Sequence, residues 1–94
     1  MKDYTFRDYY ISEHMMAALL RYINNGICPG SFLTAVLEND LSNAVACADY
    51  DNLPNLPAFV GYLYNEAPGL CWGSPATVKA WIAKGGAEQK AEAA

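Results

Sequence analysis

The sequence predicts an all-α domain, a small bundle of about four short helices, and three observations carry that expectation. Apolar residues recur at three- and four-residue spacing in four separate segments. Serine, glycine and proline stand where the ends of those segments need caps and stops. No strand pattern and no internal repeat appears along the 94 residues. A chain of this length has material for one core, so a single helical domain is expected over 1–86, with a flexible polar tail over 87–94.

Residues 1–11, with Tyr4, Phe6, Tyr9 and Tyr10 among charges, fit an irregular arm or a short helix. Ser12 is a good N-cap, and Met15, Met16, Leu19, Leu20, Tyr22 and Ile23 then place a first helix over about Glu13 to Asn24, stopped by Asn25-Gly26. After the turn Cys28-Pro29-Gly30-Ser31, the stripe of Leu33, Val36, Leu37, Leu41, Ala44, Val45 and Ala48 predicts one long second helix from Phe32 to Ala48, capped by Ser31. Asp40 falls near that stripe and would need a partner if buried there. Two prolines precede a third helix from Leu56 to Asn65, built on Leu56, Phe59, Val60, Leu63 and Tyr64 and ended by Ala67-Pro68-Gly69. Ser74-Pro75 opens a fourth, from Pro75 to Lys84, with Val78, Trp81 and Ile82 facing inward until Gly85-Gly86.

Composition narrows the function classes. At 53% hydrophobic and 17% charged the chain is too apolar for disorder. No apolar run approaches the ~18 residues of a membrane span. Lys2-Asp3 and Arg7-Asp8 interrupt the N-terminus where a signal peptide would be apolar, so a soluble, cytoplasmic protein is expected. Six Lys plus Arg against ten Asp plus Glu, a net charge of -4, argue against extended DNA or RNA but leave room for one compact anion held by backbone N–H groups. The three cysteines, Cys28, Cys47 and Cys71, form no C-x-x-C pair and read as reduced packing residues. With His14 the one histidine, and with Asp49-x-Asp51-Asn52 lacking the glycine and glutamate of a calcium loop, neither a metal nor a cofactor is expected. Four short helices bury only ~60% of their unfolded surface, and the apolar excess makes a homo-oligomer the natural remedy.

Catalysis is disfavoured, because a lone His14 beside Glu13 and three cysteines without cationic neighbours supply no acid–base or nucleophile constellation. Binding has better material. Tyrosines suit base stacking or an interface, and of the adjacent Tyr9 and Tyr10 at least one must be exposed. The loops Pro29-Gly30-Ser31 and Gly69 to Ser74 each lead into a helix start, where free N–H groups and a hydroxyl can meet phosphate or act as ordinary caps. Arg21 is the one cation between Arg7 and Lys79, free to reach a phosphate, pair with Asp40 or stay solvated.

Pro29-Gly30-Ser31-Phe32-Leu33, Val36 through Leu41, Ala48-Asp49, Asn52, Leu63-Tyr64-Asn65, Ala67-Pro68 and Cys71 through Pro75 with Trp81 resemble a family of small phage proteins. Its best understood members are anti-CBASS sponges, which sequester the cyclic oligonucleotide signals of bacterial antiviral immunity. The resemblance spans residues 29–81. It implies a compact all-helical hexamer that holds cyclic dinucleotides such as cGAMP between protomers, and cyclic trinucleotides at separate sites, without cleaving them. By the same resemblance Tyr10 or Tyr9 would stack on a base, Gly30 and Ser31 would line the dinucleotide pocket, and Gly69 with Ser74 would mark the second site. The chain departs from the family pattern at Cys28, where a basic residue is expected before Pro29, and at Gly69, where an arginine is expected. The competing expectation is a small helical phage protein that docks on a protein partner and inhibits it.

Overall fold

The computed structural model describes residues 4–87. It corrects the all-α expectation: five α-helices are joined by a two-stranded antiparallel sheet, a mixed α/β arrangement. In chain order these are β1 (Tyr4–Phe6), β2 (Tyr9–Ile11), α1 (Glu13–Asn25), α2 (Ser31–Leu37), α3 (Leu41–Cys47), α4 (Leu56–Asn65), a 3-10 turn (Gly69–Cys71) and α5 (Pro75–Lys84).

The segment expected to be an arm or a short helix is a hairpin, with Tyr4 opposite Ile11, Thr5 opposite Tyr10 and Phe6 opposite Tyr9. Its turn is Arg7-Asp8, and Arg7 takes a left-handed φ of 57°, a conformation more usual for glycine or asparagine in such turns. A two-stranded ribbon this short is not stable by its ladder alone, and side chains fix it to α4. Tyr4 meets Tyr62 edge to face at 5.1 Å. Phe6 lies against Gly61, where a Cβ would come within 2.8 Å of the ring. The buried Asn55 completes the attachment, since its Oδ1 accepts from the Tyr10 N–H at 3.0 Å while its Nδ2 donates to the Asp51 carbonyl at 2.7 Å.

The long second helix is also corrected: it breaks into α2 and α3 at Glu38-Asn39-Asp40. Asn39 adopts a left-handed φ of 62°, a conformation asparagine tolerates better than most residues. Asp40 then serves as the N-cap of α3, its carboxylate accepting from the Asn43 N–H at 3.3 Å and from Asn43 Nδ2 at 2.7 Å. The carboxylate expected near a buried stripe thus finds its partner locally. The break also turns Leu41 and Val45 outward, whereas Leu33, Val36, Leu37 and Ala44 of the same stripe are buried.

One cluster of buried side chains, including Ile11, Leu19, Tyr22, Leu37, Phe59, Leu63, Cys71 and Trp81, draws on the hairpin and on α1, α2, α4, the 3-10 turn and α5. Phe32 of α2 meets Phe59 of α4 edge to face at 5.1 Å. Tyr22 donates its hydroxyl to the Cys71 carbonyl at 2.7 Å, and Trp81 Nε1 donates to the Tyr22 and Ile23 carbonyls at 3.2 and 3.0 Å. These bonds bring the C-terminal ends of α1 and α5 together so closely that a Cβ on Gly86 would lie 2.5 Å from the Gly26 nitrogen. Ala87, the first residue of the expected tail, donates its N–H to the Ile23 carbonyl at 2.9 Å. The rest of that tail expectation, 88–94, and residues 1–3 of the expected arm lie outside the described residues.

Candidate functional site

Beside Ser31 lies a cleft of about 380 Å³ where the loop before α2 faces α3. Ser31 and Thr34 supply its hydroxyls, Glu38 and Asp40 its carboxylates, and Cys28 and Cys47 its thiols. That volume falls within the ~300–1,000 Å³ of small-molecule sites. Gly30, not Ser31, is the N-cap of α2, and no side chain caps the helix. Ser31 is therefore the first helical residue rather than the expected cap, since Gly-Ser sequences allow either register. Thr34 closes the loop by donating to the Pro29 carbonyl at 3.2 Å.

The electrostatics of this cleft differ from a ready phosphate site. Its charged lining residues are Glu38 and Asp40, so an anion there needs a counter-charge from outside its walls. Arg21 is exposed on α1. Its expected alternative partner, Asp40, is instead bonded to Asn43. Of the seven predicted residues, Ser31 lines the cleft, with Gly30 adjoining it.

Tyr9 and Tyr10 lie on β2, at 39% and 43% exposure, one toward each side of the ribbon. The Tyr10 backbone is fixed by Asn55, so both rings are presented from a braced strand. Gly69 begins the 3-10 turn with open space around it. Ser74 is a cap: its Oγ accepts from the Thr77 N–H at 3.1 Å and lies 2.9 Å from Thr77 Oγ1. Near them is a cleft of about 340 Å³ lined by Leu70, Thr77, Ala80, Trp81 and Lys84, with the Lys84 ammonium 4.2 Å above the Trp81 ring. Of the predicted residues only Ser31 lines the cleft before α2; Tyr9 and Tyr10 on β2, Arg21 on α1, and Gly69 with Ser74 before α5 do not.

Sequence reasoning missed Asn55, which sits between two prolines and gives no periodic signal, and the polar lining contributed by Thr34, Glu38 and Asn43. It also treated the three cysteines alike. Cys71 is buried, and that burial pushes its thiol up to about 11, whereas Cys28 and Cys47 are exposed on the cleft. Tyr22 and Tyr62 are raised above the ordinary phenol value, chiefly by burial. Both are packing groups. Among the described residues, no group of three or more His, Cys, Asp and Glu side chains is placed to hold a metal ion. No described helix is long and apolar enough to cross a membrane. No protein-family model matches the chain, and neither a curated protein nor a solved structure matches it.

Proposed function

We propose that this chain is a non-enzymatic binder that sequesters a cyclic dinucleotide, acting as a phage anti-defence sponge against CBASS signalling in the bacterial cytoplasm. The observation that carries the reading is the pair of half-exposed rings, Tyr9 and Tyr10, on a strand braced by Asn55. Rings held in place lose little freedom when a base stacks on them. The Ser31 cleft offers hydroxyls and volume for the sugar-phosphate ring, and its carboxylates call for a cation from outside. Because the rings do not line the cleft of one chain, the full site is assembled between copies, as a homo-oligomer. Sequestration requires only affinity and abundance, since lowering the free signal keeps its effector silent.

Calorimetric titration with a cyclic dinucleotide panel tests this. Tyr10→Ala should weaken binding by ~5- to 150-fold, the range of one lost base–aromatic stack, while the sedimentation coefficient of the unliganded protein stays unchanged. Undiminished affinity in Tyr10→Ala would take Tyr10 out of the site. Absence of binding across the panel would remove the reading.

A further inference from the structure

The cleft between α5 and the 3-10 turn, of about 340 Å³, is not used by the nucleotide reading. Ala76, Thr77, Ala80, Trp81 and Lys84 line it from α5, at spacings that place them on one face of that helix, and Leu70 lines it from the turn. Ala76 and Ala80 are exposed and carry only a methyl each, and Leu70 is 75% exposed, so the apolar lining is open to a ligand. Trp81 is buried and anchored by its Nε1 to the Tyr22 and Ile23 carbonyls, which makes that part of the wall rigid. Among the described residues Lys84 is the one charged group in the lining. Its ammonium stands 4.2 Å above the centre of the Trp81 ring. The Thr77 hydroxyl is already engaged with Ser74 Oγ, 2.9 Å away. An apolar cleft with a single cation is thus built into a chain of net charge -4.

We propose that this cleft binds a small organic acid, an apolar body of one ring or a short acyl chain that carries one carboxylate. Small-molecule sites are mostly apolar concavities of ~300–1,000 Å³ with a few placed polar groups, and this cleft lies at the small end of that range. The apolar body covers Leu70, Ala76 and Ala80, and the carboxylate meets Lys84. Because the ring beneath it already locates the ammonium, pairing costs little side-chain freedom. Charge also selects between the two clefts, since Glu38 and Asp40 in the one before α2 repel the same acid. The site is distinct from the expected nucleotide positions: Gly69 and Ser74 do not line it, and one ammonium balances one anionic group rather than a ring of phosphates.

Amide and indole NMR shifts of the isotope-labelled protein, titrated with phenylbutyrate and with its neutral and cationic counterparts phenylbutanol and phenylbutylamine, test the proposal. A ligand of about a dozen non-hydrogen atoms binding with ordinary efficiency has a Kd near ~1 mM, so titration to about 10 mM should approach saturation. Phenylbutyrate should shift Leu70, Thr77, Ala80, Trp81 and Lys84 and bind ~2- to 5-fold tighter than the alcohol, the range of an exposed ion pair. The amine should bind more weakly than both. Lys84→Met keeps the apolar stem and should abolish the preference for acid over alcohol, whereas Lys84→Arg should retain it. Leu70→Ser, at an exposed position, should weaken acid and alcohol alike by at least ~3-fold. Should Lys84→Met not fold, the ranking of the three probes on wild type decides. No saturable shift at these residues, shifts confined to other residues, equal affinity for the three probes, or a preference that survives Lys84→Met overturns the proposal. No nucleotide enters the assay, so its failure is distinguishable from failure of the sponge reading.

Discussion

Replacing Gly86 by alanine probes the junction that closes the fold. Gly86 has a φ of 80°, and a Cβ there would lie 2.5 Å from the Gly26 nitrogen and 2.6 Å from the Asn24 carbonyl carbon and oxygen. Left-handed backbone costs a non-glycine residue about 1–2 kcal/mol. Overpacking adds about 1–3 kcal/mol, toward the upper end because the obstructing atoms are backbone and cannot rotate aside. Relief requires the ends of α1 and α5 to separate, which strains the Gly86 N–H bond to the Trp81 carbonyl (3.1 Å) and the Ala87 N–H bond to the Ile23 carbonyl (2.9 Å). The expected loss is about 3–5 kcal/mol, a large share of the ~5–15 kcal/mol typical of a folded domain. At ~4–8 °C per kcal/mol for this chain length, Tm should fall by about 12–40 °C. Urea unfolding followed by circular dichroism measures it, with Gly30→Ala as the control, since Gly30 has a φ of -69° and open space about it. Gly30→Ala should change stability by less than about 0.5 kcal/mol. A loss below about 1 kcal/mol in Gly86→Ala would refute the close approach of the two helix ends.

Three further outcomes follow from the packing. Tyr22→Phe leaves the buried Cys71 carbonyl without its 2.7 Å donor and should cost about 1–3 kcal/mol in the same assay. Gly61→Ala sets about 1 kcal/mol of gained helix propensity against a Cβ 2.8 Å from the Phe6 ring. It should loosen the hairpin selectively, read as faster amide exchange at the β1–β2 ladder with α1 and α5 unchanged. Cys71 gives a pH dependence: burial raises its thiol from 9.0 to about 11, so the unfolded chain ionises first. The stabilisation is complete below pH 9 and is lost as pH rises toward 11, by up to about 3 kcal/mol, while Cys71→Ala should flatten the curve between pH 9 and 10, below the ordinary Tyr22 range.

The sequence is most legible where local chemistry and burial agree. Ser74-Pro75 caps and starts α5, Gly26 and Gly85 end α1 and α5 in left-handed conformation, and α4 occupies Leu56–Asn65 as its prolines and apolar spacing imply. It is least legible where tertiary contacts make the choice. Three-residue strands are too short for alternation to register, and Arg7-Asp8 carries none of the glycine that announces a tight hairpin. The hairpin exists because Tyr62, Gly61 and Asn55 receive it. In the apolar stripe from Leu33 to Ala48 the break was marked only by Asn39-Asp40, a pair suited to a left-handed residue followed by an N-cap. The continuous stripe predicts one helix across that signal, whereas the break leaves Leu41 and Val45 exposed. Of the candidate site, adjacency implies that one of Tyr9 and Tyr10 is exposed, and the structure exposes both, but the acidic walls of the Ser31 cleft are not legible, because Glu38 and Asp40 reach it through the same break.

As a sponge of the proposed kind, the chain would bind a cyclic dinucleotide and return it intact. Titrating the purified protein by calorimetry with cyclic di- and trinucleotides, then heating the complex and chromatographing what is released, tests it most directly. Saturable heat with a cyclic dinucleotide and recovery of the unmodified ligand are expected. No heat with any member of the panel, or recovery of a cleaved product, would contradict it.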